Sequence, residues 1–315
     1  MSLALLSLLA AARAESPPPI VNGELTSLYP QAVLLRHADA GWSSVYICTG
    51  TLVAPRWVLT AAHCTVDPYG YGLTEMHVSV GNAWTPDTPE IPADDWFPHP
   101  DYYVSGDGSV IDHDLGFVHL SEAIELDPIP LATIPPSQGE ILRWVGWGAT
   151  GDYAGDSGYF KRYADMPVVG FEDEFLLGYD FRGAATCGGD SGGPVFRLDE
   201  AGAPTLVAAH SFGRDTDGTL CAGSTSGDTR VDLYVDWIEA TIADGDADTD
   251  TDTDSDTDTD TDTDTDTDAD ADTDAGNPDE DEPSGCACDG ASAPTGSMLA
   301  TLTTLALLAR RRRSA

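Results

Sequence analysis

The chain has 315 residues, enough for one large domain or two modest ones, and its 54 acidic against 14 basic side chains leave a formal net charge of -40. About half of that charge lies in a C-terminal tail, and the remainder of the chain is still acidic. A nucleic-acid partner is therefore not expected, because phosphate contacts require a basic face, and the acidity reads as a device for solubility or salt tolerance.

Leu3 to Ala11 is an apolar run that ends in Ala12-Arg13-Ala14, the small-residue pattern of a signal peptidase site. Residues 1–14 are accordingly expected to direct export, with 15–19 left as a short pro-segment. From Ala32 to about Leu126, short alternating apolar segments are punctuated by Gly, Pro and Asp, and the same texture resumes from Pro128 to Val231. With no long amphipathic helix in either half, an all-β fold is expected. Leu233 to Ile242 carries Tyr234, Trp237 and Ile238 at helical spacing and reads as a terminal helix whose apolar stripe is core. The globular domain is thus placed at 20–243.

Asp244 opens a different regime, in which Asp alternates with Thr or Ala as far as Asp274. Such a stretch cannot bury enough apolar surface to fold, and mutual repulsion keeps it extended, so 244–283 is expected to be a disordered linker. It reads as a solvated spacer rather than a calcium site, since the Gly-containing loops of calcium motifs are missing. Residues 284–315 then hold Cys286 and Cys288, an uncharged stretch from Gly290 to Ala309 expected to form a short apolar helix, and the cluster Arg310 to Arg313. That arrangement would keep its basic end on the cytoplasmic side of a membrane.

The stretch with the clearest chemistry is Cys187-Gly188-Gly189-Asp190-Ser191-Gly192-Gly193-Pro194. A serine between glycines reads as a nucleophile on a tight turn, where missing side chains let a carbonyl approach the backbone. In that geometry the N–H groups of Gly189 and Ser191 converge on an oxyanion. A Gly-rich surface turn is the competing reading, and it loses weight only if a base and an acid exist elsewhere. They do: His63 closes Thr60-Ala61-Ala62-His63-Cys64 after a β-rich run, and Asp114 heads the alternating segment Leu115 to Leu120. Asp112 shares the face of Asp114 and competes for the same role, whereas His113 faces the other way.

These residues, together with Ile20-Val21-Asn22-Gly23, His99-Pro100-Asp101-Tyr102, Gly146-Trp147-Gly148, Ser211-Phe212-Gly213 and Thr229-Arg230-Val231, resemble the trypsin-like (chymotrypsin-fold) serine proteases in content and chain order. The resemblance covers about Ile20 to Ala243. It implies two six-stranded antiparallel β-barrels with the active site in the cleft between them. His63 would be the general base, Asp114 its orienting acid and Ser191 the nucleophile acting on protein or peptide substrates, with no metal or other cofactor. It further implies an activation ion pair between a freed Ile20 amine and Asp190, although Pro17-Pro18-Pro19 before the cut departs from the family's basic residue. Disulfides Cys48–Cys64 and Cys187–Cys221 follow by resemblance and imply an oxidising compartment. The spacing of these cysteines lacks a metal-ligand pattern.

The resemblance also assigns the pocket for the residue before the scissile bond (P1) to Ala185, Thr186, His210, Ser211 and Gly213. With Ala185 on its floor the pocket is not expected to select basic residues. An uncharged P1 is favoured, and Thr186 with His210 offers a route to Glu. The C-terminus resembles the myxobacterial sorting signals that combine a Cys motif, an apolar helix and an Arg cluster, which implies a sorting peptidase acting near Cys286 and attachment at the bacterial cell surface. A monomer is expected. The competing function is a non-catalytic surface binding or adhesion protein on the same fold.

Overall fold

The computed structural model describes residues 20–106, 108, 110–151, 159–214 and 221–248. The expected signal peptide, pro-segment, sorting signal with Cys286 and Cys288, and the linker beyond Asp248 lie outside the described residues. Within them the chain forms fifteen strands. The first nine are β1 Glu24–Leu25, β2 Ala32–Asp39, β3 Val45–Ala54, β4 Trp57–Thr60, β5 Leu73–Ser79, β6 Ile91–Pro98, β7 Tyr103–Val104, β8 Ile111–Asp112 and β9 Gly116–Leu120. They are followed by β10 Ile141–Gly146, β11 Arg162–Glu172, β12 Phe175–Gly178, β13 Pro194–Leu198, β14 Pro204–Arg214 and β15 Thr225–Arg230. A 3₁₀ turn at Val231–Leu233 leads into helix α1, Val235–Asp248.

Strands β2-β3-β4-β9-β6-β5 close into one antiparallel barrel. A second is built from β11-β10-β13-β14-β15-β12 and closed by the β11–β12 pairing, with β1 added beside the first residues of β11. The all-β expectation of two six-stranded barrels and a terminal helix therefore holds. Alternation explains the interiors: inward residues such as Val33, Leu35, Leu52, Val58, Met76 and Val118 fill the first barrel, and Leu142, Trp144, Met166, Leu176, Val195 and Val207 fill the second. A third cluster, including Tyr29, Trp57, Phe117, Phe196 and Ile238, joins the two barrels and seats the helix.

Two details bind the halves together. Lys161 is fully buried, and its Nζ donates to the carbonyls of Tyr29 (2.7 Å) and Ala32 (3.3 Å) in the segment leading into β2. Burial lowers its pKa to about 7. Helix α1 runs past its expected end at Ile242 and packs Gly245 against Trp57, where a Cβ would meet the indole at 2.2 Å. The start of the acidic run is thus used in packing, which composition alone could not show.

Candidate active site

His63 sits in a 3₁₀ turn, Ala62–Cys64, directly after β4, and Asp114 lies two residues before β9. β4 and β9 are paired with Thr60 opposite Gly116, so the two side chains meet at the same end of the first barrel. Asp114 is fully buried, and its carboxylate takes the His63 ring at Nδ1 (2.8 Å) and the His63 main-chain N–H (2.9 Å). Oδ2 also accepts the Ser211 hydroxyl. Of the two candidate acids the structure therefore brings Asp114, not Asp112, to the histidine, while Asp112 pairs in β8 with Tyr103. His113 turns away, with a positive φ of 53° and its Nδ1 on the Tyr234 hydroxyl at 2.8 Å.

Burial opposes charge on His63, but the charge and hydrogen bond of Asp114 outweigh it and raise the imidazole pKa above its ordinary 6.5. Burial likewise pushes the Asp114 carboxyl upward, and its contacts with His63 and Ser211 bring it on balance below the usual carboxylate range. The pair is thus an ionised acid holding an imidazole that readily takes up a proton.

Ser191 comes from the other barrel, on the loop just before β13. Thr49 of β3 clamps that loop: its N–H donates to the Ser191 carbonyl (2.8 Å), and its hydroxyl donates to the Gly189 carbonyl (2.8 Å) while accepting the Trp147 N–H (3.0 Å). Gly192, at φ 76°, packs against Thr60 and Ala61, where an added Cβ would meet Thr60 Oγ1 at 1.9 Å. It is also bonded through its N–H to the His210 carbonyl at 2.7 Å. Ser191 is thereby held against the segment that ends in His63. The Gly188 carbonyl accepts the Ala149 N–H at 2.9 Å. Because C=O and N–H of a trans peptide point in opposite directions, the Gly189 N–H is turned away from that segment.

Asp190 points inward beneath the loop, accepting N–H groups from Gly148 and Cys187, both at 2.8 Å. Gly146 and Gly148 leave the space it fills. Burial pushes its carboxyl up to about 6, against the pull of those two amides and of His210 and Arg162. Ile20 is fully buried, and Val21 is bridged to Ala185 by paired hydrogen bonds of 2.8 and 3.1 Å, which brings the start of the domain beside this loop.

Both expected disulfides are formed, Cys48–Cys64 behind His63 and Cys187–Cys221 beside the nucleophile loop. Cys48, His63 and Cys64 lie close enough to suggest metal ligands, but the disulfide consumes both thiolates.

Ala185, Thr186 and His210 are all buried behind the loop. Sequence reasoning missed the residue beneath them. Asp228 is fully buried, and its Oδ1 accepts His210 Nδ1 (2.9 Å), the Ser226 hydroxyl (2.8 Å) and the Trp144 indole N–H (3.0 Å). Thr186 reaches the same group through Ser226 at 3.4 Å. Gly213 is paired with Ser226 across β14–β15. The missed signal was the period-two spacing of Ser226 and Asp228 on β15, which puts both on one face opposite His210. Ser211, assigned to the pocket by resemblance, donates its hydroxyl to Asp114. Thr49 carried no signal at all.

A buried acid on a histidine, a serine on a glycine-rich loop and two antiparallel β-barrels that supply them define a serine hydrolase of the chymotrypsin architecture. Comparison with known proteins narrows the class. The family description "Trypsin" matches residues 29–238. Human chymotrypsin-like elastase family member 3B is 32% identical over 279 residues, covering 77% of this chain and 99% of that protein. Trypsin from Squalus acanthias is 31% identical over 63% of this chain and 86% of its own length. The solved structure of neuropsin, a serine protease of mouse brain, shares the fold with a TM-score of 0.57 at 23% identity, covering 70% of this chain and 99% of that one. The chain belongs to the trypsin family and is a serine-type endopeptidase.

Proposed function

We propose that the protein is a secreted serine endopeptidase held at a bacterial cell surface, in which Ser191, His63 and Asp114 act as the catalytic triad. His63 Nε2 takes the Ser191 proton as Oγ attacks the scissile carbonyl, and the N–H groups of Gly189 and Ser191 receive the oxyanion. His63 then protonates the leaving amine, and water activated by the same imidazole hydrolyses the acyl-enzyme. Asp114 holds the ring in the Nδ1–H tautomer and stabilises the imidazolium. The observation that carries this reading is the Asp114 carboxylate, which binds the His63 ring and its main-chain N–H together. Labelling by a fluorophosphonate tests it: protein cut before Ile20 should be modified at Ser191, and a lack of modification sinks the assignment.

Activation follows the same logic. Asp190 is a buried carboxyl whose affinity for a proton is raised by burial, so a free Ile20 amine delivered beside it would be a strong partner.

For P1 we propose an uncharged side chain. Ala185 supplies no charge, and any charge on His210 is matched by Asp228 directly behind it. A Glu side chain would therefore bring an unmatched negative charge into a buried site, which disfavours the carboxylate route. Export through residues 1–14, a spacer of 244–283, and sorting-peptidase processing near Cys286 rest on the sequence pattern. Action as a monomer on protein or peptide substrates completes the proposal.

A further inference from the structure

Asp114 is aimed at His63 by a stretch of chain that belongs to no sheet. Residues 113–115 lie between the end of β8 and the start of β9, and β8 is itself paired with β7 alone in a two-stranded ribbon. Two departures from extended backbone turn the Asp114 carboxylate inward. His113 takes a left-handed φ of 53°, which a residue with a Cβ keeps where its surroundings impose it. The Leu115 N–H then donates back to the His113 carbonyl at 2.8 Å and closes a three-residue turn with Asp114 at its centre.

The constraint comes from the second barrel. Glu174, in the two-residue turn between β11 and β12, accepts the His113 N–H through Oε1. That turn is fixed in its own right, because the Glu174 carbonyl accepts the Arg230 N–H of β15 at 3.0 Å. Thr229, next to Arg230, donates its hydroxyl to the Asp114 carbonyl at 3.1 Å. The His113 ring is held as well: Nδ1 meets the Tyr234 hydroxyl at 2.8 Å and lies 3.8 Å from Glu174 Oε2, and His99 stacks on the ring at 5.1 Å between centroids. Among these contacts, the Glu174 bond is the one that fixes the peptide from which His113 turns. We infer that Glu174 is a positioning residue for catalysis: by holding the His113 N–H from the second barrel it keeps His113 left-handed and so aims the Asp114 carboxylate at His63. The inference rests on the protease reading above and extends it, since the acid and base of the triad, both carried by the first barrel, then depend on the docking of the second for their alignment. The partner is a neutral amide, so what the position needs is an acceptor of the right reach rather than a charge.

The test uses the full chain cut before Ile20, with active sites counted by exhaustive fluorophosphonate labelling so that rates refer to folded enzyme. Glu174→Ala removes the acceptor and should lower kcat about 30-fold, with KM held within about 2-fold. Glu174→Gln keeps an oxygen in place and should retain kcat to within about 3-fold, whereas Glu174→Asp, one methylene shorter, should lose about 10-fold. Asp114 offsets the burial that opposes charge on His63, so Glu174→Ala, unlike Glu174→Gln, should move the acid limb of kcat/KM to lower pH. In an Asp114→Asn background Glu174→Ala should cost less than about 3-fold further, because the group it positions is already lost, whereas an effect on folding alone would carry over in full. Phe171→Ala, at an exposed position of the same hairpin, should leave kcat and the acid limb unchanged. A Glu174→Ala enzyme with unaltered kcat and acid limb overturns the inference, as does a Glu174→Gln enzyme that loses as much as Glu174→Ala. If Glu174→Ala does not fold, the order of the other two decides: Asp above Gln overturns the inference, and Gln above Asp supports it. An absence of Ser191 labelling in the unsubstituted enzyme overturns the protease reading as well.

Discussion

Asp190 offers the most quantitative test of how this enzyme is switched on. In the uncut chain its carboxyl is buried with amide partners, and its pKa rises from 3.8 to about 6. An acid with a raised native pKa binds its proton more tightly when folded than when unfolded. Its contribution to stability is therefore complete below pH 3.8 and is lost as pH climbs through about 6. A shift of about two units corresponds to about 3 kcal/mol, so the uncut chain should lose that much stability between pH 4 and 7 through this one group. A chain beginning at a free Ile20 carries an ammonium that can ionise Asp190 without the penalty, and should not show the loss. Urea unfolding of both forms at several pH values between 4 and 7.5 measures the difference, and the general acidity of the protein cancels because both forms share it. Parallel stability profiles for the two forms would refute the reasoning, since they would mean that the amine never reaches Asp190.

The other predictions concern the triad and the loop that carries the serine. Ser191→Ala should lower kcat by a factor of the order of 10⁶, and Asp114→Asn by about 10⁴ by disturbing the His63 tautomer; steady-state kinetics on a peptide substrate checks both. Because the His63 pKa is raised, kcat/KM should climb as pH passes through a value above 6.5, and Asp114→Asn should shift that limb downward. Gly192→Ala places a Cβ 1.9 Å from Thr60 Oγ1 at a positive φ and should displace the nucleophile loop, seen as lost fluorophosphonate labelling together with a lowered Tm. Thr49→Val strands the Trp147 N–H and the Gly189 carbonyl, at a cost of about 2–4 kcal/mol in urea unfolding and a fall in kcat larger than any change in KM.

Several features were legible without coordinates because they are local. Period-two alternation from Ala32 to Val231 marked strands, the Gly189-Asp190-Ser191-Gly192 run marked a tight turn, and His63 and Asp114 each stood beside a strand that could hold them. Chain order then tied these to one family, and with it came the barrels and both disulfides. What sequence left open were contacts between residues far apart in the chain. Thr49 and Gly189 are separated by 140 positions, yet one hydroxyl joins them across the two barrels. Asp228 lies 18 positions from His210 and becomes its partner only because β14 and β15 pair in that register. Ser211 belonged to a recognised motif, but its hydroxyl bond to Asp114, 97 positions away, appears only in the folded chain. Helix α1 continues past Ile242 and brings Gly245 against Trp57, nearly two hundred positions earlier in the chain. Residue type and spacing determined which chemistry this chain carries. Which groups face one another, Asp228 on His210 and Thr49 on the nucleophile loop among them, was decided by strand register and by the docking of one barrel on the other, since a buried polar group takes its partner from whatever the fold brings within reach.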